Sequence, residues 1–354
     1  MNAPLRFGLV GAGRIAETYA QAFAELAEAG VARIAGVADT RHEAARELAE
    51  RLGCPAFESH AAMSAAGRLD AVVVCTPPVT HPDIAIHFLR RRVHVLCEKP
   101  LSIDLRGARL MAYWAERSGA ILTMASKFRY AEDVVRAHAL AESGAIGEIV
   151  EVENSFTSRV GMAERWNSDP ALSGGGVLID NGTHSVDLLR SFLGPLVEVQ
   201  VIEGGRGQGL AVEETVRLFA RNERGALGSI DLSWSVARET ESYLTLHGTG
   251  GILQVGWKGS RYRRTGDPGW TPFGVGYDKV QAFRAQIGNF VRAIRGEEEP
   301  RITMADALAS VEVIEAAYRA LRDGRWTAVG APDVRRRTGA ISLVPGLAAA
   351  GEPA

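Results

Sequence analysis

Hydrophobic positions fall into two regimes along the chain. From residue 5 to about 125, short apolar runs alternate with segments of helical period. Leu5–Val10, Ile34–Ala38, Asp70–Cys75, Val93–Cys97 and Ala120–Ala125 are largely apolar, as strands covered on both faces must be. Between them, Ile15, Tyr19, Ala22, Phe23 and Leu26 share one helical face, His42–Leu52 is helical by composition, and helices are expected from His81 to about Arg92 and after Ser102. Strand and helix in unbroken alternation predict a doubly wound parallel sheet over residues 1–125.

After Ser126 the period changes. Asp133–Ser143 reads as a helix closed by Gly144. Apolar residues then alternate with polar ones at Val150/Val152/Phe156, Val197/Val199/Val201, Val216/Leu218, Ile230/Leu232/Trp234 and Leu253/Val255/Trp257. A period of two means strands with one dry and one wet face, so residues 126–330 predict an α+β domain with a large, mostly antiparallel, open sheet. Tyr262–Tyr277, rich in Gly, Arg and aromatics, reads as a loop. Asp278–Arg295 reads as a helix, and Thr303–Asp306 resembles a capping box opening another. Residues 331–354 are expected to form a mobile tail.

Composition narrows the classes. Of 354 residues, 46% are hydrophobic and 23% charged, with a net charge of −2, so there is no basic footprint for nucleic acid. No apolar run is long enough for a membrane helix. Cys54, Cys75 and Cys97 form no Cys-x-x-Cys pair, and no His-Glu-x-x-His run or other metal motif appears. A cytoplasmic location is expected.

Candidate chemistry begins at the first strand-to-helix turn, Gly11-Ala12-Gly13-Arg14-Ile15-Ala16, with Asp39 ending the second strand 23 residues after Ala16. Gly11 allows the tight turn, Gly13 lets backbone amides approach a pyrophosphate, and the helix N-terminus favours the phosphates. Asp39 can accept from ribose hydroxyls, which predicts NAD; Arg41 leaves NADP open. Thr76-Pro77 ends the third long strand, and His81 opens the next helix either as a capping or satisfied structural histidine or as a cofactor contact. Glu98-Lys99-Pro100 ends the following strand, because Pro100 has no N–H to pair, and leaves Lys99 at the ligand-binding edge of the sheet. Farther on, Gly174-Gly175-Gly176 precedes Asp180 and His184, which are four apart and share a helix face as either a structural or a catalytic pair.

The combination of Gly11–Ala16, Thr76-Pro77, Glu98-Lys99-Pro100 and Asp180…His184, in this order, resembles the Gfo/Idh/MocA oxidoreductases, over residues 5 to about 328. The resemblance implies a catalytic set of Lys99, Asp180 and His184, with cofactor contacts at Gly11, Gly13, Arg14, Ile15, Asp39, Thr76, Pro77, His81, Glu98 and Lys99. It implies hydride transfer between a secondary alcohol of a sugar, nucleotide sugar, amino sugar or cyclitol and the nicotinamide, and a homodimer or homotetramer built through the second sheet. Where the family strand often carries Asn-x-Arg, this chain has Lys127-Phe128-Arg129, so Lys127 and Arg129 are either substrate contacts or surface charges. The basic pair Lys127/Arg129 and Arg261–Arg264 favour a phosphorylated or nucleotide-linked sugar, and Glu213-Glu214 and Glu239/Glu241 equally an amino sugar. The rival readings are a keto-sugar reductase, an NAD-dependent glycosidase and a non-catalytic cofactor-sensing regulator.

Overall fold

The structure is a computed structural model that describes residues 3–236 and 238–330. The chain runs β1 (Leu5–Val10), α1 (Arg14–Glu28), β2 (Ala32–Ala38), α2 (His42–Leu52), β3 (Ala56–Phe57), α3 (His60–Ala66), β4 (Ala71–Val74), α4 (His81–Leu89), β5 (His94–Glu98), α5 (Leu105–Ser118) and β6 (Leu122–Ala125). These strands form one parallel sheet in the order β3-β2-β1-β4-β5-β6. The order reverses between β1 and β4, so the crevice lies beyond the carboxyl ends of those strands. The tail expected over 331–354 lies outside the described residues.

A second sheet follows α6 (Glu132–Glu142). It contains β7 (Ile149–Thr157) and, after the short α7 (Pro170–Ser173) and the long α8 (Val177–Leu193), β8 (Leu196–Glu203), β9 (Thr215–Asn222), β10 (Leu227–Ser233), β11 (Ser242–Gly248), β12 (Gly251–Gly256), β13 (Ser260–Arg264) and β14 (Thr271–Gly274). Then come α9 (Lys279–Ile294), α10 (Met304–Asp323) and the edge strand β15 (Thr327–Ala328). The strand order is β14-β13-β12-β11-β7-β10-β9-β8-β15, antiparallel except between β7 and β10. One face is covered by α6, α8 and part of α10 around Val152, Leu188, Leu189, Val216, Ile230, Leu246 and Ile314. The other face leaves Ile202, Phe219 and Leu227 exposed.

Two elements differ from the sequence expectation. Residues 262–277 hold most of the β13–β14 hairpin rather than a loop. Its outward arginines disguise the strand, because Arg261 and Arg263 stack on Trp270, at 4.5 and 5.1 Å from its ring centre. Strand β11 shows no period of two, since Tyr243, Leu244, Thr245 and Leu246 are all buried. Thr303 and Asp306 do form the reciprocal capping box of α10, each side chain accepting from the other's backbone N–H.

Helix α9 crosses back to the first sheet. Phe283, Ile287, Phe290 and Val291 share a core with Phe7, Tyr19 and Phe23, with Phe283 edge-on to Tyr19 at 4.8 Å. Helix α10 packs Ala307 and Val311 on the opposite side of that sheet, while its Val313, Ile314 and Ala317 face the second core. The two sheets are therefore held by shared helices, which fixes the crevice between them. Replacing Phe283 with Ala removes a wholly buried ring and should cost about 3–5 kcal/mol in urea unfolding. A loss below about 1 kcal/mol would contradict the role of α9 as part of the first core.

Candidate active site

The carboxyl ends of the parallel strands converge on one cleft of about 890 Å³. Gly11, Gly13, Arg14 and Ile15 follow β1, Asp39 follows β2, and Thr76 and Pro77 follow β4. Glu98 and Lys99 close β5, Lys127 follows β6, and Asp180 enters from α8. The sequence singled out all of these, and the fold brings them together.

At the β1 turn, Gly11 has φ +102, and a Cβ there would lie 2.7 Å from the Cys75 carbonyl oxygen, so only glycine fits. A Cβ on Gly13 would meet nothing within 4 Å, which leaves open room directly before α1. No side chain caps α1, so its first N–H groups and the positive end of its dipole face that room. Asp39 accepts from the Ala12 N–H at 2.7 Å and the Arg41 N–H at 2.8 Å. Those two bonds aim its carboxylate and still leave acceptor capacity for ribose hydroxyls. An open cradle, free helix N–H groups and an oriented acid fit a dinucleotide.

His81 takes the structural of its two expected roles. It is fully buried, with Nε2 2.9 Å from the Thr76 carbonyl and Nδ1 3.0 Å from the Pro100 carbonyl, and it ties the loop after β4 to the loop after β5. Thr80 lines the cleft in its place, and its hydroxyl bonds Thr76 Oγ1 at 2.7 Å. Glu98 is buried and accepts from the Tyr19 hydroxyl at 2.9 Å. Burial pushes its carboxyl pKa up, against the pull of Lys99 and Lys127.

Lys99 reaches from β5 to α8, where its Nζ pairs with the Asp180 carboxylate and lies 3.2 Å from the Asp180 carbonyl. Both side chains are under one-fifth exposed. Asp180 stands in the first turn of α8, where the helix dipole favours an anion. The start of α8 is itself pinned. Glu213 accepts from the Gly176 N–H at 2.8 Å, the Leu178 N–H at 3.1 Å and the Tyr318 hydroxyl at 2.7 Å. A Cβ on Gly176 would lie 2.1 Å from the Glu213 carbonyl oxygen, which explains the glycine directly before the helix.

His184 sits one turn beyond Asp180, buried and not among the cleft-lining residues. It is edge-on to Phe128 at 5.1 Å, and its Nδ1 has no hydrogen-bond partner among the described residues. Burial holds its pKa well below the ordinary value, and Lys99 and Lys127 act in the same direction, so the imidazole is neutral at pH 7.

Residues 127–129 lie in a short 3₁₀ turn, Lys127–Tyr130, rather than a strand. That turn points its two cations apart. Lys127 faces the cleft. Arg129 faces Asp187, with Nη1 3.4 Å from its carboxylate, whose other oxygen accepts from Ser126 at 2.7 Å. Arg129 is not among the cleft-lining residues.

Three other groups also stand away from the cleft. Glu213 serves α8, and Glu214 accepts from the Gln208 and Leu210 N–H groups at 2.7 and 3.0 Å. Arg261 pairs with Glu241 at 2.6 Å on the β-hairpin side of the second sheet. None of Glu213, Glu214, Glu239, Glu241 and Arg261–Arg264 lines the cleft, contrary to the expectation that they select the substrate. Sequence reasoning missed Glu164–Asn167, which with Lys279 completes the cleft wall. Trp166 was the available signal, an aromatic in a polar stretch just before the glycine run.

Replacing Asp39 with Ala should weaken NAD roughly 10–100-fold in a fluorescence titration, since charge-assisted hydrogen bonds contribute ~1.5–3 kcal/mol. Because Arg41 Nε lies 3.5 Å from Asp39 Oδ1, the variant should also release Arg41 and shift preference towards NADP. Unchanged NAD affinity would contradict the placement of the ribose at Asp39.

Comparison with known proteins agrees with this geometry. Residues 5–126 match the model of an oxidoreductase family with an NAD-binding Rossmann fold, and residues 134–254 match the GFO/IDH/MocA C-terminal domain. Inositol 2-dehydrogenase of Rhizobium meliloti is 28% identical, over 92% of this chain and 99% of its own. The rhizopine catabolism protein MocA of Rhizobium meliloti is 27% identical, over 89% of this chain and 95% of its own. Among solved structures, GenD2 from gentamicin A biosynthesis, in complex with NAD, is 28% identical with a TM-score of 0.81, covering 94% of this chain and 98% of that one. A parallel sheet that cradles a dinucleotide, a second open sheet and family models matching both make this chain a member of the Gfo/Idh/MocA oxidoreductases, with NAD as its cofactor.

Proposed function

We propose that the protein is an NAD-dependent dehydrogenase that oxidises a secondary alcohol of a sugar or cyclitol. One observation carries this reading: Lys99 from the cofactor-binding sheet and Asp180 from the second domain meet inside the dinucleotide cleft. The inositol 2-dehydrogenase relative supports the substrate class.

NAD, when bound, would supply a hydride acceptor, and the protein supplies position and charge. Lys99, Asp180 and Lys127 line the same cleft as Gly11, Gly13 and Asp39. Lys99 donates to the substrate oxygen and stabilises negative charge as it develops there. Asp180 accepts from a neighbouring hydroxyl and keeps Lys99 in place through their ion pair. His184, neutral and one helical turn beyond Asp180, accepts the hydroxyl proton through Nε2, since Nδ1 is fully buried. Burial excludes water from the pair and strengthens each of these interactions. A reductase acting on the corresponding ketone uses the same groups in reverse.

Incubation with NAD and a panel of inositols, pentoses and hexosides should produce reduced nicotinamide, followed by absorbance; no reduction across the panel with NAD bound would sink the reading. Substituting His184 or Lys99 with Ala should lower kcat by ~10²–10⁴, the usual size of general acid–base assistance, while NAD affinity stays within a few-fold. The pH profile carries a further sign. A histidine with a depressed pKa keeps its base form as pH falls through 6.5, so kcat/KM should show no acid limb near that value. A limb at 6.5 that disappears in the Ala variant would show that His184 titrates as a solvent-exposed residue.

A further inference from the structure

We propose that the substrate carries an anionic group, a carboxylate or a phosphate, and that Lys127 binds it at the β6 side of the cleft. This rests on the dehydrogenase reading and adds a substrate class to it.

The position of Lys127 excludes a role with the cofactor phosphates. Those belong at the turn after β1, and β6 is three strand spacings away, about 14 Å. Lys127 is held in the cleft by its turn, with Nζ 5.3 Å from the Phe128 ring centre and 5.9 Å from that of Phe283. These apolar faces contribute some cation–π attraction but cannot accept a hydrogen bond in the way a carboxylate does. Among the described residues its ammonium has no hydrogen-bond or ion-pair partner, whereas Lys99 beside it is neutralised by Asp180 and Arg129 next in the turn by Asp187. Arg14, Arg165 and Lys279 also line the cleft without an ion pair among the described residues, but Lys127 is the one of these on the turn after β6, facing the same space as the Lys99–Asp180 pair.

The surrounding charges agree. Lys99 just after β5 and Lys279 at the start of α9 repel the Lys127 ammonium, while Glu98 and Asp180 attract it, neither within 4 Å. Burial, then Lys99, brings its pKa down to about 8. An anion placed against Nζ would favour the charged form, raise that pKa and draw a proton from solvent at pH 8. A neutral polyol would do neither.

The test is calorimetric binding to the NADH-loaded protein, where no turnover occurs, with D-glucose, D-glucuronate and D-glucose 6-phosphate as probes. At least one anionic probe should bind ten-fold or more tighter than D-glucose, as expected for a charge-assisted bond, and the better of the two tells carboxylate from phosphate. Its binding at pH 8 should take up protons, seen as a dependence of heat on buffer ionisation. Lys127→Met should bring the three probes within about threefold of one another and abolish the proton uptake, while Lys127→Arg should retain the preference. Equal binding of glucose and both anions, failure of all three probes to bind, or a preference that persists in Lys127→Met would overturn the proposal. Turnover of neutral polyols without any anion preference would sink this inference alone. Anion binding without nicotinamide reduction across the panel would sink the dehydrogenase reading alone.

Discussion

The ion pair between Lys99 and Asp180 is the contact on which the arrangement turns. Two charges in a largely buried cleft lose hydration, and their attraction offsets that only with good geometry and further hydrogen bonds. The fold provides both. Strand β5 ends at Glu98 and delivers Lys99 to the sheet edge, while α8 presents Asp180 at its favourable N-terminal end. Glu213 and Tyr318 hold that end in place, and His81 braces the loop after β4 against Pro100. Much of the polar structure nearby is scaffolding for one lysine and one aspartate.

Keeping two sheets in register across a cleft is a problem of packing. The chain solves it by returning α9 to the first core and by letting α10 serve both cores from different faces. A cleft bounded by shared helices has little freedom to open, so Lys99 and Asp180 remain preorganised, which is where most enzymatic electrostatic stabilisation originates.

The first half was legible because buried parallel strands leave continuous apolar runs and the Gly11–Asp39 turn has strict steric needs. The second half was legible wherever strands are half wet. It was illegible at β11, where burial on both faces erased alternation, and at β13, where arginines stacked on Trp270 imitate a loop. For the site, Lys99, Asp39 and Asp180 could be named from spacing. What spacing could not tell was direction. Lys127 and Arg129 sit two apart in a 3₁₀ turn, and only the folded chain shows that one faces the cleft and the other Asp187. Glu213 looked like a substrate contact because its partners, the Gly176 and Leu178 amides, are distant in sequence.

The central claim is that the cofactor's reactive carbon and Lys99 share one pocket. A crystal structure of the protein with NAD bound tests it directly. The account places the nicotinamide ring beside Lys99 and Asp180, with room for a substrate carbon about 3–3.5 Å from its C4, and the adenosine ribose on Asp39. A nicotinamide bound away from Lys99, or a ribose that leaves Asp39 untouched, would contradict it.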